Sequence, residues 1–374
     1  MKSYHLPRSL VGIESMVSIT PMSLGIAISC LSSPCPSQQF NHGGHGLYRA
    51  GSTVLSPLLA RCPPAGYSPE AAMNLADSTI AVTGATGSLG RNIVEVLLAR
   101  GARVVGVVRD PDKVPGLADR VELRRADLGD RGALEKALEG CDGLVSNAGM
   151  LNIGLQKWSA HERVNVGGIE NLLRAAAATG TRRVVHMSSI SVYSFPARKP
   201  LDDEPPLMDG LSTRHPLKVY PLSKALGERR AWKLADELGL SLTALRPSGI
   251  FGAWDTVFWS KVRALYSLPL APVPVGWRIS WIYAGDVAEA IALSLEKQAA
   301  VGRAYNVAGD ASTTFWQLLS AWRQVGGRTP LAWLPLPLPM RRHYDTRKLR
   351  EELGWQPRDP ENAMRDMLAL EQKR

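Results

Sequence analysis

Several features that would place this sequence in a specialised class are scarce or absent. Four cysteines among 374 residues are too few for a disulfide scaffold, and no two of them form a Cys-x-x-Cys pair. No uninterrupted apolar run reaches the ~18 residues of a membrane-spanning helix. The best candidate, residues 265–277, holds three prolines. No repeat with a period of about 20–50 residues is visible, which excludes a solenoid. The sequence therefore predicts a globular protein without a transmembrane span.

The charge of the chain is basic but evenly spread. Its 44 Lys and Arg residues against 34 Asp and Glu residues give a net charge of +10. Such a surface suits an anionic cofactor, an anionic membrane or nucleic acid, and it is also an ordinary solvated surface. Basic residues form no block and do not alternate with aromatic residues, so we predict no nucleic-acid partner. Length and composition predict one large domain or two ordinary ones.

Residues 1–75 have a different composition from the rest of the chain. The first 72 residues hold 4 basic, 2 acidic and 12 serine residues, and three of the four cysteines. Such a segment buries too little apolar surface to offset its ordering entropy, so we predict a disordered extension. His42 and His45 lie in a glycine-rich stretch that we interpret as a flexible linker, and we predict no metal site.

Three interpretations of this extension remain open. It is poor in acids and rich in serine, as organelle transit peptides are. As a secretory signal it would be interrupted by Glu14 and Pro21. It is otherwise sequence upstream of a start at Met73, which the strongly patterned domain that begins soon after Met73 favours. A start at Met73 predicts a cytoplasmic protein, whereas a transit peptide predicts a plastid or a mitochondrion.

From Ser78 onward, strand-like and helix-like patterns alternate. The strand-like runs are residues 79–83, 103–108, 121–126, 143–146, 183–187 and 241–245. The helical patterns between them include residues 131–138, 161–178 and 217–238. Nearly continuous apolar strands separated by helices are typical of a parallel sheet that is covered on both faces. The sequence therefore predicts an α/β fold with a doubly wound parallel sheet.

A glycine-rich turn joins the first strand to the first helix. Gly84, Gly87 and Gly90 give the spacing G-x-x-G-x-x-G. Glycines let the backbone approach a pyrophosphate, and a helix N-terminus offers free N–H groups and a positive dipole. Such a turn also serves simple packing, but its position between a strand and a helix favours dinucleotide binding.

The end of the second strand bears on the choice of cofactor. Arg109 and then Asp110 follow it directly. An arginine here suits the 2′-phosphate of NADP, whereas an acid suits the ribose 2′-hydroxyl of NAD. We predict NADP(H), with NAD(H) through Asp110 as the alternative.

Ser189, Tyr220 and Lys224 are the catalytic candidates. Tyr220 and Lys224 are four residues apart and share one face of a helix that starts near Pro221. A lysine ammonium beside the phenol would lower the pKa of Tyr220 and fit it for proton exchange with a carbonyl or an alcohol. Ser189 follows a predicted strand, where a hydroxyl faces the ligand crevice of a parallel sheet; turn capping is the structural alternative.

Taken together, these motifs resemble the extended short-chain dehydrogenases/reductases, which include NAD-dependent epimerases/dehydratases and 3β-hydroxysteroid dehydrogenase-like enzymes. The resemblance spans residues 79–368. Further segments that carry it are residues 127–128, 188–193, 245–252, 286–290, 304–307 and 353–357. It implies an NAD(P)-binding Rossmann core over residues 76–252. Residues 253–374 would form mainly a small substrate lobe, with late strand and helix elements returning to the core.

The resemblance also implies residue roles. Tyr220 would be the general acid/base, Lys224 would bind the nicotinamide ribose, and Ser189 would hydrogen-bond the reacting oxygen. Asn165 would lie near the active site, and Tyr193 would shape the pocket. The implied cofactor-binding residues are Gly84, Thr86, Gly87, Ser88, Leu89, Gly90, Arg109, Asp127, Leu128, Asn147, Ala148, Gly149, Tyr220, Lys224, Pro247, Gly249 and Ile250. Arg91 is a further candidate for the 2′-phosphate.

Departures from the family pattern bear on the substrate. The turn over residues 246–252 lacks the asparagine that is common in nucleotide-sugar members, and Arg278 is one position away from their usual arginine. This turn looks more like those of the hydroxysteroid dehydrogenase and dihydroflavonol reductase branches. Residues 254–281 and 333–339 are rich in apolar and aromatic residues, which suggests an apolar substrate. Core packing and a contact with a membrane surface are the alternatives.

Three functional classes follow. The leading one is an NADP(H)-dependent oxidoreductase that moves hydride between nicotinamide and a secondary alcohol or ketone of a small apolar substrate. The first alternative is a nucleotide-sugar epimerase, dehydratase or reductase. The second is a non-catalytic NAD(P)-binding scaffold or sensor. The resemblance also implies a homodimer, formed through residues 161–178 and 217–238.

Overall fold

The computed structural model describes residues 72–113, 115–151, 157–193, 219–310 and 313–372. The predicted extension lies outside the described residues except for residues 72–75, and so do His42 and His45. The three interpretations of that extension therefore still rest on the sequence.

The described chain alternates strands and helices. The strands are β1 (Thr79–Thr83), β2 (Arg103–Val108), β3 (Glu122–Arg125), β4 (Gly143–Ser146), β5 (Arg183–Met187), β6 (Ser241–Pro247), β7 (Ile250–Phe251), β8 (Leu270–Ile279), β9 (Ile282–Tyr283), β10 (Ala304–Val307) and β11 (Ala332–Arg342). The helices are α1 (Ser88–Ala99), α2 (Pro115–Ala118), α3 (Arg131–Leu138), α4 (Trp158–His161), α5 (Gly168–Thr179), α6 (Val219–Leu238), α7 (Trp259–Tyr266), α8 (Ala284–Glu296), α9 (Phe315–Gln324), α10 (Arg347–Leu353) and α11 (Pro360–Gln372). None of these helices combines the length and apolar character needed to cross a membrane.

A seven-stranded sheet forms the centre of the fold, in the order β10-β6-β5-β4-β1-β2-β3. Every pairing in it is parallel. From β1 the chain first winds towards β3, and it then returns to place β4 on the other side of β1. The prediction of a doubly wound parallel sheet is confirmed. Ligands of such sheets bind at this switch point, beyond the carboxyl ends of the strands.

Helices cover both faces of the sheet, which explains why its central strands are mainly apolar, whereas the edge strand β3 is Glu-Leu-Arg-Arg. On one face, α1 and α8 pack Ile93 and Leu97 together with Ile291 and Leu295. On the other face, α3, α5 and α6 bury a second cluster, whose members include Leu134, Leu172 and Leu234. Burial on both faces leaves no need for the polar alternation of a half-exposed strand.

A third, aromatic cluster lies in the later part of the chain. It joins α7, α9 and α11 to β8, with Trp259, Phe315 and Trp322 among its buried members. Strands β8 and β11 pair in parallel as a separate two-stranded ribbon. Between them in sequence, β10 joins the edge of the central sheet beside β6. The chain after residue 253 therefore contributes both to the ribbon region and to the central sheet.

Candidate active site

A cavity of about 1100 Å³ opens beyond the carboxyl ends of β1, β2, β4, β5 and β6. The sequence predicted 18 cofactor-binding or catalytic residues, and all of them line this cavity. They are Gly84, Thr86, Gly87, Ser88, Leu89, Gly90, Arg109, Asp127, Leu128, Asn147, Ala148, Gly149, Ser189, Tyr220, Lys224, Pro247, Gly249 and Ile250. The fold thus brings together residues that are spread over about 170 positions of the sequence.

The glycine-rich turn has the shape that a dinucleotide requires. Gly84 has a φ of 67°, which favours glycine, and a Cβ there would lie 3.0 Å from the Cα of Ala148. A Cβ on Gly90 would overlap the carbonyl oxygen of Gly84. Gly87 precedes α1 and offers no side-chain cap, and the first turn of α1 holds no acid. The N-terminal amides and the positive dipole therefore remain available to an anion, so these residues fit a pyrophosphate.

Thr83, at the end of β1, holds the loop that follows β4 beside the glycine-rich turn. Its hydroxyl accepts hydrogen bonds from the amides of Asn147 at 3.1 Å and Ala148 at 3.0 Å. The side-chain amide of Asn147 donates to the carbonyl of Gly84 at 3.3 Å. These contacts link the ends of β1 and β4 across the switch point, so both walls of the crevice are held in register.

Arg109 and Asp110 face different partners at the end of β2. The Arg109 side chain is exposed, lines the cavity and makes no ion pair with a described residue. The carboxylate of Asp110 lies 3.7 Å from Nη2 of Arg125. The further candidate Arg91 places its guanidinium 5.7 Å from the ring centroid of Trp254 and does not line the cavity. Arg109 is therefore the better placed of the two arginines to meet an anionic ligand.

Tyr220 lies in a cluster of hydroxyl groups. Its hydroxyl hydrogen-bonds with the hydroxyls of Ser189 and Ser191. Ser191 also donates to Oγ of Ser189 at 2.9 Å from its hydroxyl and at 3.1 Å from its amide. Lys224, one turn further along α6, donates from Nζ to the carbonyl of Met187 at 2.6 Å. Sequence reasoning missed Ser191, although its position two residues after Ser189 was visible.

The pKa of Tyr220 differs from the sequence expectation. Burial raises it, and the hydrogen bonds from Ser189 and Ser191 oppose that rise. Burial lowers the pKa of Lys224 to about 8, while the charge of Glu228 opposes that change. Lys224 is not among the groups that shift the pKa of Tyr220. The expected lowering by Lys224 is therefore wrong for the protein alone, which keeps Tyr220 a neutral phenol.

Asn165 lies in a π-helical segment, Glu162–Gly167, between α4 and α5. Its Oδ1 accepts from the amide of Met150 at 2.8 Å, and its Nδ2 donates to the Met150 carbonyl at 3.1 Å and to Ser223 Oγ at 2.9 Å. A Cβ on Gly227 would overlap the Asn165 carbonyl oxygen. Asn165 thus ties the loop after β4 to α6, and π-helical turns often mark functional sites.

A buried polar network lies behind Tyr220 and Lys224. Nε of Arg246 donates to both carboxylate oxygens of Glu228 at 3.1 Å, and Ser188 donates to the same carboxylate. Nη1 of Arg246 donates to the Tyr193 hydroxyl at 3.0 Å, and that hydroxyl donates to Asn306. Tyr193 is buried in this network and does not line the cavity, so the expectation that it shapes the pocket is wrong.

His186 in β5 is fully buried among these groups. Its Nδ1 lies 3.3 Å from Ser146 Oγ, and its Nε2 has no hydrogen-bond partner among the described residues. Burial lowers the pKa of His186 to about 3; the charge of Lys224 adds to this effect, and that of Glu228 opposes it. The folded protein therefore holds a neutral imidazole.

This imidazole predicts a loss of stability in mild acid. The folded pKa lies below the ordinary value of 6.5, so the contribution of His186 is complete above pH 6.5 and is lost as the pH falls towards 3. From pH 7 to pH 5, we expect the free energy of unfolding to fall by about 2 kcal/mol more in the natural chain than in His186→Gln. Urea unfolding at both pH values measures this difference. The exposed-residue control His343→Gln should lose as much as the natural chain, and an equal loss in His186→Gln and the natural chain would contradict the assignment.

Apolar residues line the cavity beyond the catalytic cluster. Phe258 and Trp281 stack there with ring centroids 4.1 Å apart, and Leu151 and Val257 lie nearby on the wall. Gly249 leaves room for the Trp281 ring, which a Cβ at this position would overlap. Asp255 also lines the cavity, and its carboxylate accepts the amides of Val257 at 2.7 Å and Phe258 at 3.2 Å. This end of the cavity therefore suits an apolar group.

The sequence and the structure both have relatives among known proteins. Residues 80–308 match the NAD dependent epimerase/dehydratase family. Cinnamoyl-CoA reductase 1 of Arabidopsis thaliana is 33% identical over 242 residues, which cover 61% of this chain and 70% of that protein. Dihydroflavonol 4-reductase of Zea mays is 30% identical over 246 residues, which cover 60% of this chain and 68% of that protein.

Among solved structures, the fold is similar to that of UDP-glucose-4-epimerase from Stenotrophomonas maltophila, which was solved with bound NAD and formylated UDP-arabinopyranose. The TM-score is 0.66 at 20% identity, with 79% of this chain and 98% of that chain covered. At this identity the likeness concerns the fold alone. The family match over more than half of the chain, the reductase relatives and the parallel sheet agree. The protein therefore belongs to the NAD-dependent epimerase/dehydratase family of extended short-chain dehydrogenases/reductases and is an NAD(P)-dependent oxidoreductase.

Proposed function

We propose that the protein interconverts a ketone and a secondary alcohol on a small apolar substrate, with NADP(H) as its cofactor. The observation that carries this proposal is the meeting of Ser189, Ser191 and Tyr220 with an apolar wall in one cavity. Two relatives support the substrate class, since they are named as reductases of cinnamoyl-CoA and of dihydroflavonol.

The residues that the motifs place in the cavity have distinct roles in this proposal. The glycine-rich turn and α1 would hold the pyrophosphate, Asp127 and Leu128 would flank the adenine, and Lys224 would hold the nicotinamide ribose. Bound NADP(H) would supply or accept hydride. The phenol of Tyr220, kept neutral by burial, donates its proton to the carbonyl oxygen in reduction and accepts the proton of the alcohol in oxidation. Ser189 donates a hydrogen bond that holds the reacting oxygen near that phenol.

Reduction is the direction that the resting state of the site supports. A buried neutral phenol is a proton donor, and the Ser191 hydroxyl can donate to the phenolate once the proton has left, while Ser189 holds the reacting oxygen. A charged Lys224 in the holoenzyme favours the same phenolate. Ser191 and Lys224 therefore act on the phenolate after proton transfer, whereas burial keeps the phenol neutral before it.

A cofactor titration tests the proposed preference for NADP(H). We expect the purified chain to bind NADPH more tightly than NADH, because the Arg109 guanidinium meets the 2′-phosphate. Arg109→Ala should weaken NADPH binding by about 10- to 100-fold, which is the usual value of a charge-assisted contact, and leave NADH binding unchanged. The matched control is Arg103→Ala, at the opposite end of β2. Tryptophan fluorescence quenching measures both affinities, and equal affinities in the natural chain would contradict the NADP(H) assignment.

A panel of substrates tests the proposed substrate class. The chain, loaded with NADPH, is mixed separately with aryl alkyl ketones, an aromatic acyl-CoA thioester and UDP-glucose, and loss of the reduced nicotinamide is followed. Turnover of the ketones supports the proposal. Turnover of the thioester alone would move the substrate class to acyl-CoA, and binding of UDP-glucose with turnover of neither carbonyl would favour the nucleotide-sugar alternative.

A further inference from the structure

Four leucines form an exposed patch on the β8–β11 ribbon. Leu268, Leu270, Leu331 and Leu334, here called the leucine patch, are between 50% and 90% exposed. The carbonyl of Pro269 accepts the amides of Leu331 at 2.9 Å and Ala332 at 3.0 Å, which brings the two segments side by side. Exposure of so many large apolar side chains in one place marks a binding surface rather than ordinary surface variation.

The strand register makes the patch continuous. Leu270 pairs with Ala332, and Leu334 lies two residues further along β11, so Leu270 and Leu334 are on the same face of the ribbon. The opposite face is covered, because Ala271 and Val273 are buried in the aromatic cluster. One face of the ribbon thus packs against the protein while the other presents leucine to the surroundings.

The chain segments that carry the patch are cationic. The two segments that carry the ribbon, residues 256–285 and 311–344, contain seven Lys and Arg residues and no Asp or Glu. Arg263 among them is paired with Glu371. The others whose side chains the structure describes make no ion pair with a described residue and are exposed: Lys261, Arg278, Arg323 and Arg328. The partner that matches this surface is therefore apolar and anionic at once.

We propose that the leucine patch and its flanking cations dock on the surface of an anionic lipid membrane. Leucine side chains insert at the boundary between headgroups and acyl chains, while Lys and Arg meet lipid phosphates and carboxylates. Arg328 lies three residues before Leu331, and Lys261 lies one helical turn before Leu265 at the end of α7. Both are within reach of the headgroups that would surround the inserted leucines.

Other occupants match this surface less well. A second copy would bring like charges together in a two-fold interface. Nucleic acid would satisfy the cations but leave the leucines in contact with water. Added strands of a protein partner need N–H donors, and the five prolines within β8 and β11 remove such donors from the ribbon. A lipid surface alone satisfies both the apolar and the cationic part.

Docking would also explain the position of the patch relative to the cavity. Helix α7 begins at Trp259, directly after Phe258 of the cavity wall, and spans about 12 Å to the residues of the patch. An apolar substrate dissolved in the leaflet would then be delivered beside the cavity. This last step rests on the proposed function, whereas the docking itself does not.

Vesicle flotation of the full chain tests the proposal. We expect binding to vesicles of two parts phosphatidylcholine and one part phosphatidylserine, weak binding to phosphatidylcholine alone, and loss of binding in concentrated salt. Arg328→Glu should weaken binding about fivefold or more, as removal of a cation near an anionic leaflet does. Leu331→Asp should weaken it at least as much. Leu331 is 90% exposed, so this change leaves folding intact.

Two controls keep the test specific. Lys136→Glu makes the same charge change on exposed α3 and should leave vesicle binding within about twofold of the natural chain. Binding of NADPH should be equal in all variants, which separates docking from the proposed function. The proposal would be overturned if the natural chain floats with neither kind of vesicle. It would also be overturned if Lys136→Glu and Arg328→Glu lose vesicle binding equally. The proposal would also be overturned if the natural chain is a dimer that Leu331→Asp abolishes. It would likewise be overturned if an oligonucleotide displaces the vesicles and binds equally well to Leu331→Asp.

Discussion

Replacement of Tyr220 by phenylalanine is expected to lower the rate of ketone reduction by about 10²- to 10⁴-fold, which is the usual contribution of a positioned general acid. The change removes one oxygen and leaves the ring, so the packing of this side chain is kept. The dissociation constant for NADPH should not change, because the phenol transfers a proton and does not hold the phosphates. Steady-state rates with the best substrate of the panel and a fluorescence titration measure the two quantities.

Tyr305→Phe is the matched control for this variant. The Tyr305 hydroxyl also donates a hydrogen bond inside the fold, to Glu352 at 2.6 Å, but it does not line the cavity. We expect Tyr305→Phe to lose some stability and to keep its rate. A Tyr220→Phe enzyme that retains more than about a tenth of the rate would remove Tyr220 from the role of general acid.

The pH profile of the natural enzyme bears on the same role. Two groups at the site have shifted pKa values in opposite directions: that of Tyr220 is raised, and that of Lys224 is lowered to about 8. Tyr220 is therefore protonated throughout the neutral range, and reduction does not lose its donor as the pH rises to 8. Lys224 loses its charge near pH 8 in the protein alone, which weakens its stabilisation of a phenolate above that pH.

Much of the fold could be predicted from local sequence patterns. The predicted ranges 79–83, 103–108, 143–146 and 183–187 coincide with β1, β2, β4 and β5. Burial on both faces makes such strands apolar throughout, and turn residues mark their ends. The β8–β11 ribbon was not predicted as a pair of strands, because its prolines argue against strands and its partner segments lie about 60 residues apart.

The candidate site also contains residues that the sequence predicts and residues that it does not. Motif residues such as Gly84, Ser189 and Tyr220 carry their chemistry in residue type and spacing, so the sequence places them on one cavity. Some of the partners that set their environment come from distant segments, such as Arg246 on β6 and Asn306 on β10. No spacing rule joins those two residues to the motifs, whereas Glu228 lies one turn after Lys224 on α6. The family resemblance assigned Tyr193 to the pocket, whereas its hydroxyl bonds to Arg246 and Asn306 in the structure.

The buried pair of Glu228 and Arg246 predicts a large effect on stability. The side chain of Glu228 is 0% exposed and that of Arg246 is 6% exposed. Burial alone would raise the pKa of Glu228, but Arg246 and Ser188 hold it below its ordinary value, so the pair is charged. Glu228→Gln keeps the shape of the side chain and leaves the Arg246 guanidinium buried without a counter-charge. We expect the free energy of unfolding to fall by about 3–5 kcal/mol, measured by urea unfolding at pH 7.

An exposed ion pair and a double variant test whether this loss of stability comes from the buried position of the pair. Glu135 accepts from Arg131 at 2.7 Å on the surface of α3, and Glu135→Gln should cost less than about 1 kcal/mol. The double variant Glu228→Gln/Arg246→Met removes both buried charges, so it should recover part of the stability that Glu228→Gln alone loses. Equal losses in Glu228→Gln and Glu135→Gln would mean that the buried pair is not the link that holds α6 to β6. Because α6 carries Tyr220 and Lys224, a weakened link should also lower kcat at temperatures where the variant is still folded.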